Sequence, residues 1–173
     1  MKNIALLITV LLLFVGCSTL KVTTDFDDDF DFSKQKSFAV KHENKEGEDT
    51  LSNDRITNSL EADLILKGYK KVSQEEAELI FVFHVEAKKR IDIQPEFQVM
   101  GFGGYGYGGA MVSTSTTRDY TEGTLIVDAL NPKNEKIVWR AVGVTELKEQ
   151  KTPKKRKEYI DGIIKKMMMS FPK

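Results

Sequence analysis

The sequence predicts an α+β fold, a two-layer sandwich in which a mostly antiparallel sheet of about five strands carries two helices on one face. Two observations support this prediction. Stretches of alternating apolar and polar residues cluster in the middle of the chain, and two stretches with a helical apolar period flank them. The chain has 173 residues, of which 40% are apolar and 30% charged, a balance typical of one globular domain.

The first 16 residues predict a lipoprotein signal peptide. An apolar run extends from Ile4 to Val15, which is shorter than the about 20 residues that a membrane-spanning helix needs. Gly16 and Cys17 follow it. This ending resembles the lipobox of bacterial lipoproteins, although Phe14 stands where such boxes usually carry leucine. The resemblance implies cleavage before Cys17 and a diacylglyceryl group on its thiol. A buried core cysteine beside an ordinary cleavage site is the alternative.

Lipidation of Cys17 would have chemical consequences. Cys17 is the one cysteine of the chain, so its conversion to a thioether removes disulfides, cysteine-ligated zinc and cysteine nucleophiles. Each buried acyl CH₂ contributes about 0.8 kcal/mol, so two or three acyl chains, palmitate among them, hold a protein on a membrane. Ser18 rather than aspartate follows Cys17. In enteric bacteria this resemblance implies sorting to the outer membrane, with the protein facing the periplasm.

Residues 17–31 are predicted to be the lipidated N-terminus and a tether, and residues 32–173 a single domain. The tether ends in DFDDDFDF, whose alternation of aspartate and phenylalanine favours a solvated tether or a short edge strand. A cation site is the alternative. The stretch lacks the central glycine and the final glutamate of an EF-hand loop.

The apolar pattern then predicts the elements of the domain in order. They are a short strand around Phe38 and Val40, a helix over 52–67, strands over 77–90 and about 91–99, two strands joined by NPKNE, and a final helix. Ser52 or Asn53 is expected to cap the first helix, and Gly68 to end it. The second helix is expected to have Thr152 as its cap and Pro153 at its first position.

Residues 100–117 are predicted to be a long hairpin loop. The loop contains GFGGYGYGGA, which matches the G-x-G-x-x-G string of dinucleotide-binding proteins. No helical pattern begins at the last glycine of that string, where a helix N-terminus would hold the pyrophosphate. We therefore expect no nucleotide and no other cofactor. The aromatic residues Phe102, Tyr105 and Tyr107 are the candidate contact surface for a protein, glycan or lipid headgroup, and a plain mobile loop is the alternative.

Charge and motif content disfavour several other functions. The formal net charge is zero, from 26 basic and 26 acidic residues, which disfavours nucleic-acid binding. His84 and Glu86 share a strand face but are too few ligands for a metal site, and no G-x-S-x-G elbow is present. We therefore predict no catalytic residue and no metal.

Two further clusters have a functional and a structural interpretation. The basic cluster Lys154–Lys157 opposes the dipole of the last helix, which indicates either an anionic partner or a solvated face. Met167–Met169 form either a soft binding surface or a helix end, and Met167 alone fits the core stripe cleanly.

Several segments together resemble a bacterial lipoprotein family catalogued as domain of unknown function 4136. They are DFDDDFDFSKQKSFAV, LILKGYKKV, EAELIFVFHVEAKK, YTEGTLIVDALNPKNEKIVWRAVG and a last helix ending in SFP, and they cover about residues 22–172. The resemblance implies an envelope lipoprotein with an α+β domain, and it supplies no catalytic residues. In this pattern Trp139 is expected to pack beneath a helix. Arg140 then faces the open side of the sheet, where Glu122 or Asp128 is its expected partner.

The sequence thus predicts a lipid-anchored protein of the cell envelope that acts as a non-enzymatic binding or scaffold module. Its expected partners are the membrane, through the lipid on Cys17, and an envelope protein. The alternative is an envelope hydrolase that acts on glycan or lipid through a carboxylate pair. That alternative requires a cleft with two close Asp or Glu residues of raised pKa.

Overall fold

The structure is a computed structural model that describes residues 20–44, 46–100 and 110–172. The predicted signal peptide, Cys17 and the aromatic residues Phe102, Tyr105 and Tyr107 lie outside the described residues. The strands are β1 (Lys21–Phe26), β2 (Ser37–Lys41), β3 (Lys70–Lys71), β4 (Leu79–Met100), β5 (Ala110–Asn131) and β6 (Lys136–Glu146), and the helices are α1 (Thr50–Leu66) and α2 (Pro153–Met168).

The described strands form one six-stranded sheet with the order β1-β6-β5-β4-β2-β3. The pairs β1–β6, β6–β5 and β5–β4 are antiparallel, and β2 is parallel to both β4 and β3. The predicted α+β class is confirmed, with one strand more than expected. β1 occupies part of the predicted tether, and β3 is too short to give a sequence pattern.

The hairpin of β4 and β5 is longer than the sequence predicts. The segments 77–90 and 91–99, predicted as two strands, form one strand, and β5 begins at Ala110 inside the predicted loop 100–117. The ladder runs from Ile80 opposite Leu130 to Met100 opposite Ala110. Among the described strands, the distal part of β4 pairs with β5 alone. Pro95 has no backbone N–H, but because of this single pairing it interrupts no hydrogen bonding to a second described strand.

Capping side chains fix where the helices begin. The carboxylate of Asp49 accepts hydrogen bonds from the Ser52 backbone N–H at 3.2 Å and the Ser52 hydroxyl at 2.7 Å, so α1 begins at Thr50. The prediction of Ser52 or Asn53 as the cap was wrong because Asp49 caps equally well three residues earlier, and Ser52 donates both its N–H and its hydroxyl to that carboxylate. Gly68, with φ +95°, ends the helix as predicted.

The start of α2 confirms the sequence prediction. The Thr152 hydroxyl accepts a hydrogen bond from the Lys155 N–H at 3.2 Å, and Pro153 occupies the first turn. At the other end of α2, Met167 and Met168 are both fully buried, whereas Met169 is 76% exposed. The prediction that Met167 alone fits the core was wrong, because α2 packs against α1 as well as against the sheet.

An aromatic cluster closes the end of the domain where α2 finishes. The ring of Phe171 lies 5.0 Å from Trp139, 5.4 Å from Phe81, 5.7 Å from Phe32 and 5.8 Å from Tyr69, measured between centroids. Trp139 is fully buried, as predicted. One ring therefore joins the sheet, the segment after β1 and the segment after α1.

We expect Phe171→Ala to lower the free energy of unfolding by about 3–5 kcal/mol, since it deletes a buried ring that four others contact. Urea denaturation followed by circular dichroism measures this loss. Phe26→Ala is the matched control, because the Phe26 ring is 50% exposed and should cost much less. Equal losses for the two variants would contradict the role given to Phe171.

A hydrogen-bonded carboxylate joins the two helices. Asp161 of α2 accepts hydrogen bonds from the buried Ser59 hydroxyl of α1 and from Lys157 Nζ, the latter at 2.6 Å. Burial alone would raise the pKa of Asp161, but the hydrogen bonds from Lys157 and Ser59 outweigh it, so the pKa is lowered. The ionised carboxylate is therefore the form that the fold stabilises.

The stability that Asp161 contributes should depend on pH. Because the pKa of Asp161 is lower in the folded chain than in the unfolded chain, its ionised carboxylate stabilises the fold at pH values above the unfolded pKa of about 3.9. This stabilisation is lost as the pH falls through the folded pKa. Asp161→Asn should therefore lower the free energy of unfolding at neutral pH, and the difference from wild type should shrink in acid. Urea titrations across this pH range measure the difference, with the exposed Asp28→Asn as control. A difference that stays constant with pH would contradict the assignment.

Candidate functional site

A cavity of about 570 Å³ lies between the helices and the sheet, at the end of the sheet where β6 finishes. The first turns of both helices and the segment after β6 form its walls. The apolar part of its lining consists mainly of Ile56, Val85, Leu125, Leu147, Ile160 and Ile163. Val85 is 52% exposed although it lies on the core face of β4, so the cavity leaves apolar surface uncovered.

Two glycines form part of the cavity lining on β5 and β6. A Cβ atom at Gly143 would lie 2.8 Å from the Met167 sulfur, and one at Gly123 would overlap the Leu147 side chain. A Cβ atom at either position would be closer to its neighbour than van der Waals contact allows. The two glycines therefore let α2 and the segment after β6 approach the sheet. Side chains at these positions would also fill part of the cavity.

A polar network forms one wall. The His42 ring stacks on Phe83 with centroids 4.1 Å apart, and its Nε2 lies 3.2 Å from a Glu48 carboxylate oxygen. The buried Asn53 amide donates to Glu48 at 3.0 Å and to Asn44 at 2.8 Å. The network holds the imidazole in one orientation beside the apolar lining.

Charges of both signs lie in the wall between the helix starts. Arg156 lies 3.8 Å from the Asp49 carboxylate, measured from nitrogen to oxygen. The Ser52 hydroxyl, the Ser52 backbone N–H and the nearby Arg156 lower the pKa of Asp49, so its carboxylate stays ionised. Arg156 and Lys157 belong to the predicted basic cluster, and each has an acidic partner on a helix or its cap. This part of the cluster therefore has structural contacts.

The predicted pair of Arg140 lies on the opposite face of the sheet, away from the cavity. Arg140 Nε donates to one oxygen of the buried Asp128 at 2.6 Å, and its Nη2 donates to the other at 2.7 Å. The hydrogen bond to Asp128 raises the pKa of Arg140. The other expected partner, Glu122, accepts from Arg90 at 2.9 Å instead. We interpret the Arg140–Asp128 pair as a structural contact.

The remaining candidates do not come together in the cavity. His84 and Glu86 are exposed on the open sheet face, and the described residues contain no group of three or more His, Cys, Asp or Glu placed to hold a metal. Burial raises the pKa of Asp63, with Lys67 and Lys165 opposing the shift. Asp63 does not line the cavity. Asp49 does line it, but the pKa of Asp49 is lowered, not raised. These two carboxyl groups do not form the pair that a hydrolase would need.

Sequence reasoning missed the cavity itself. Its residues come from segments far apart in the chain, such as His42, Gly143 and Tyr159. The glycines inside two strand patterns were the available signal, because a glycine within a strand marks close approach of another group.

Neither helix in the described part of the chain has the length and hydropathy of a membrane span.

Comparison with known proteins gives a family and a fold. The family model described as Domain of unknown function (DUF4136) matches residues 22–173. No curated protein shows significant similarity to the chain. A PDZ domain protein from Parabacteroides distasonis superimposes with a TM-score of 0.58 at 15% identity, over 90% of this chain and 37% of its own. This chain thus spans little more than a third of that protein, and the likeness concerns the fold.

Two other solved structures are more distant. A leucine-to-methionine variant of the PelC dodecamer from Paraburkholderia phytofirmans has a TM-score of 0.47 at 14% identity, over 86% of this chain and 94% of its own. A neuraminyllactose-binding hemagglutinin homolog from Helicobacter pylori has a TM-score of 0.36 at 16% identity, over 78% of this chain and 82% of its own.

Proposed function

The chain belongs to the family Domain of unknown function (DUF4136), and we propose that it is a lipid-anchored protein of the cell envelope whose domain is a non-enzymatic binding module. The proposed location is the outer membrane, facing the periplasm. The proposed ligand is a small molecule with an apolar body and an uncharged or zwitterionic head. The cavity between helices and sheet is the observation that carries this proposal.

The size and lining of the cavity support a small-molecule ligand. Its volume of about 570 Å³ falls within the roughly 300–1,000 Å³ of small-molecule sites, which are mostly apolar with a few polar groups. The charged lining residues include acidic Asp49 and basic Arg156, so a ligand head with a net charge would meet repulsion as well as attraction. The half-exposed Val85 would be covered by the ligand's apolar body.

The sequence before the domain supports the anchor. Gly16 and Cys17 end an apolar run of signal-peptide length, and the described structure begins at Leu20, three residues after Cys17. The binding domain would then be held close to the membrane.

The anchor is tested by labelling cells with an alkyne analogue of palmitate and purifying the protein. We expect label on the wild-type protein and mass spectra that place the lipid on an N-terminal Cys17. Cys17→Ala should lose the label and leave the membrane fraction, whereas the matched control Ser18→Ala should keep both. An unmodified Cys17 thiol in the mature wild-type protein would contradict the proposal.

The cavity is tested with the fluorescent probe N-phenyl-1-naphthylamine, using the mature chain carrying Cys17→Ala so that no lipid or detergent is present. We expect saturable binding that Val85→Phe with Ala87→Phe weakens about tenfold, or about 1.4 kcal/mol, because both side chains face the cavity. His84→Phe with Glu86→Phe is the matched control, on the opposite face of the same strand. Equal affinity of the two double variants would contradict a ligand site here.

A further inference from the structure

The distal halves of β4 and β5 form a two-stranded ribbon that leaves the sheet. Pairing between β5 and β6 ends at Glu122 opposite Glu146, while β4 and β5 stay paired from Lys88 to Met100. At roughly 3.3 Å per residue the ribbon, residues 88–100 and 110–122, is about 40 Å long. An isolated two-stranded ribbon is marginally stable in water, so a surface that contacts it would stabilise it.

The ribbon leaves the sheet at the end where the chain enters. In the strand register Lys21 lies opposite Val144, Val144 opposite Thr124, and Thr124 opposite Glu86, so these residues form one row. The ribbon begins two residues beyond this row, at Lys88. Because β1 is antiparallel to β6, which runs in the same direction as β4, the chain before β1 extends toward the ribbon.

Leu20 is fixed to the domain at this end. Its side chain is 7% exposed and lies against Gly143, and its carbonyl accepts a hydrogen bond from Lys166 Nζ at 2.9 Å. Cys17 lies three residues before Leu20. An extended chain spans at most about 3.6 Å per residue, so Cys17 lies within about 11 Å of Leu20.

A lipid on Cys17 would therefore hold the bilayer within about 11 Å of Leu20, at the end of the sheet from which the ribbon, about 40 Å long, extends. We propose that the ribbon is a membrane-contacting arm that lies in the headgroup region of the bilayer in which Cys17 is anchored. This inference rests on the anchor of the proposed function. The partner is a phospholipid surface.

The chemistry of the ribbon fits such a surface. Ile91 and Ile93 lie on one face and are 67% and 64% exposed, although they continue the core face of β4. At the base, Arg90 pairs with Glu122, which reduces net charge there. Residues 97–117 contain no charged side chain, so the part of the ribbon farthest from the sheet carries no charge. Burial of the apolar side chains of Ile91 and Ile93 at the boundary between headgroups and acyl chains would be favourable, and the uncharged distal part adds no cost of burying a charge there.

The arm is tested by measuring the depth of a fluorophore in vesicles. Full-length lipidated protein carrying Ile93→Cys is labelled with a nitrobenzoxadiazole maleimide and reconstituted into phosphatidylethanolamine–phosphatidylglycerol vesicles. Leu66→Cys is the matched control, because Leu66 is 85% exposed and lies near Lys70, at the opposite end of the sheet. We expect a phospholipid with a doxyl group on its acyl chain to quench the Ile93 label at least twofold more than the Leu66 label. Aqueous iodide should quench in the reverse order.

Two results would overturn the arm. One is quenching of the Ile93 label by iodide to the same extent as the Leu66 label. The other is shielding of the Ile93 label from both quenchers, which would indicate a second copy or another protein on the ribbon. Ile91→Cys repeats the measurement on the same face, and circular dichroism checks that each variant is folded.

Wild-type protein treated with the same maleimide separates this inference from the proposed function. An acylated Cys17 has no thiol, so wild type should remain unlabelled. Labelling of the wild-type protein would contradict the proposed lipid anchor on Cys17. If wild type stays unlabelled and the Ile93 label is accessible to iodide, the membrane-contacting arm would be contradicted and the lipid anchor would stand.

Discussion

The hydrogen-bonded register of β1 on β6 sets where the N-terminal segment leaves the domain. Lys21 lies opposite Val144, and Leu20 packs over Gly143 beside Met167. A slip of one residue would move Val22 from the core face to the open face, so burial opposes the change. The same register brings the chain start, the cavity and the ribbon to one end of the sheet.

The two ends of the domain differ in their packing. At one end Phe171 fills the space between Trp139 and the neighbouring rings, and little room remains. At the other end Gly123 and Gly143 provide no side chains, and a cavity remains beneath the first turns of the helices. The closely packed rings thus lie away from the end to which we assign binding and membrane contact.

Sequence patterns predicted the elements whose side chains alternate between core and solvent. Leu60 and Leu64 of α1 and Phe81 and Phe83 of β4 show their periods directly, and all four are buried. The ribbon was only partly predicted, because from Glu86 to Pro95 the side chains on both faces of β4 are exposed or half-buried, and burial no longer imposes a pattern. The cavity was not predictable from one segment, since it arises only where distant segments meet.

Neutron reflectometry of the lipidated protein on a supported bilayer would show whether the sheet end bearing Leu20 faces the membrane. We expect protein density that begins within the headgroup layer, where the ribbon would lie, and thickens without a water layer into the sheet and helices. A hydrated gap between the headgroups and all of the protein density would contradict it.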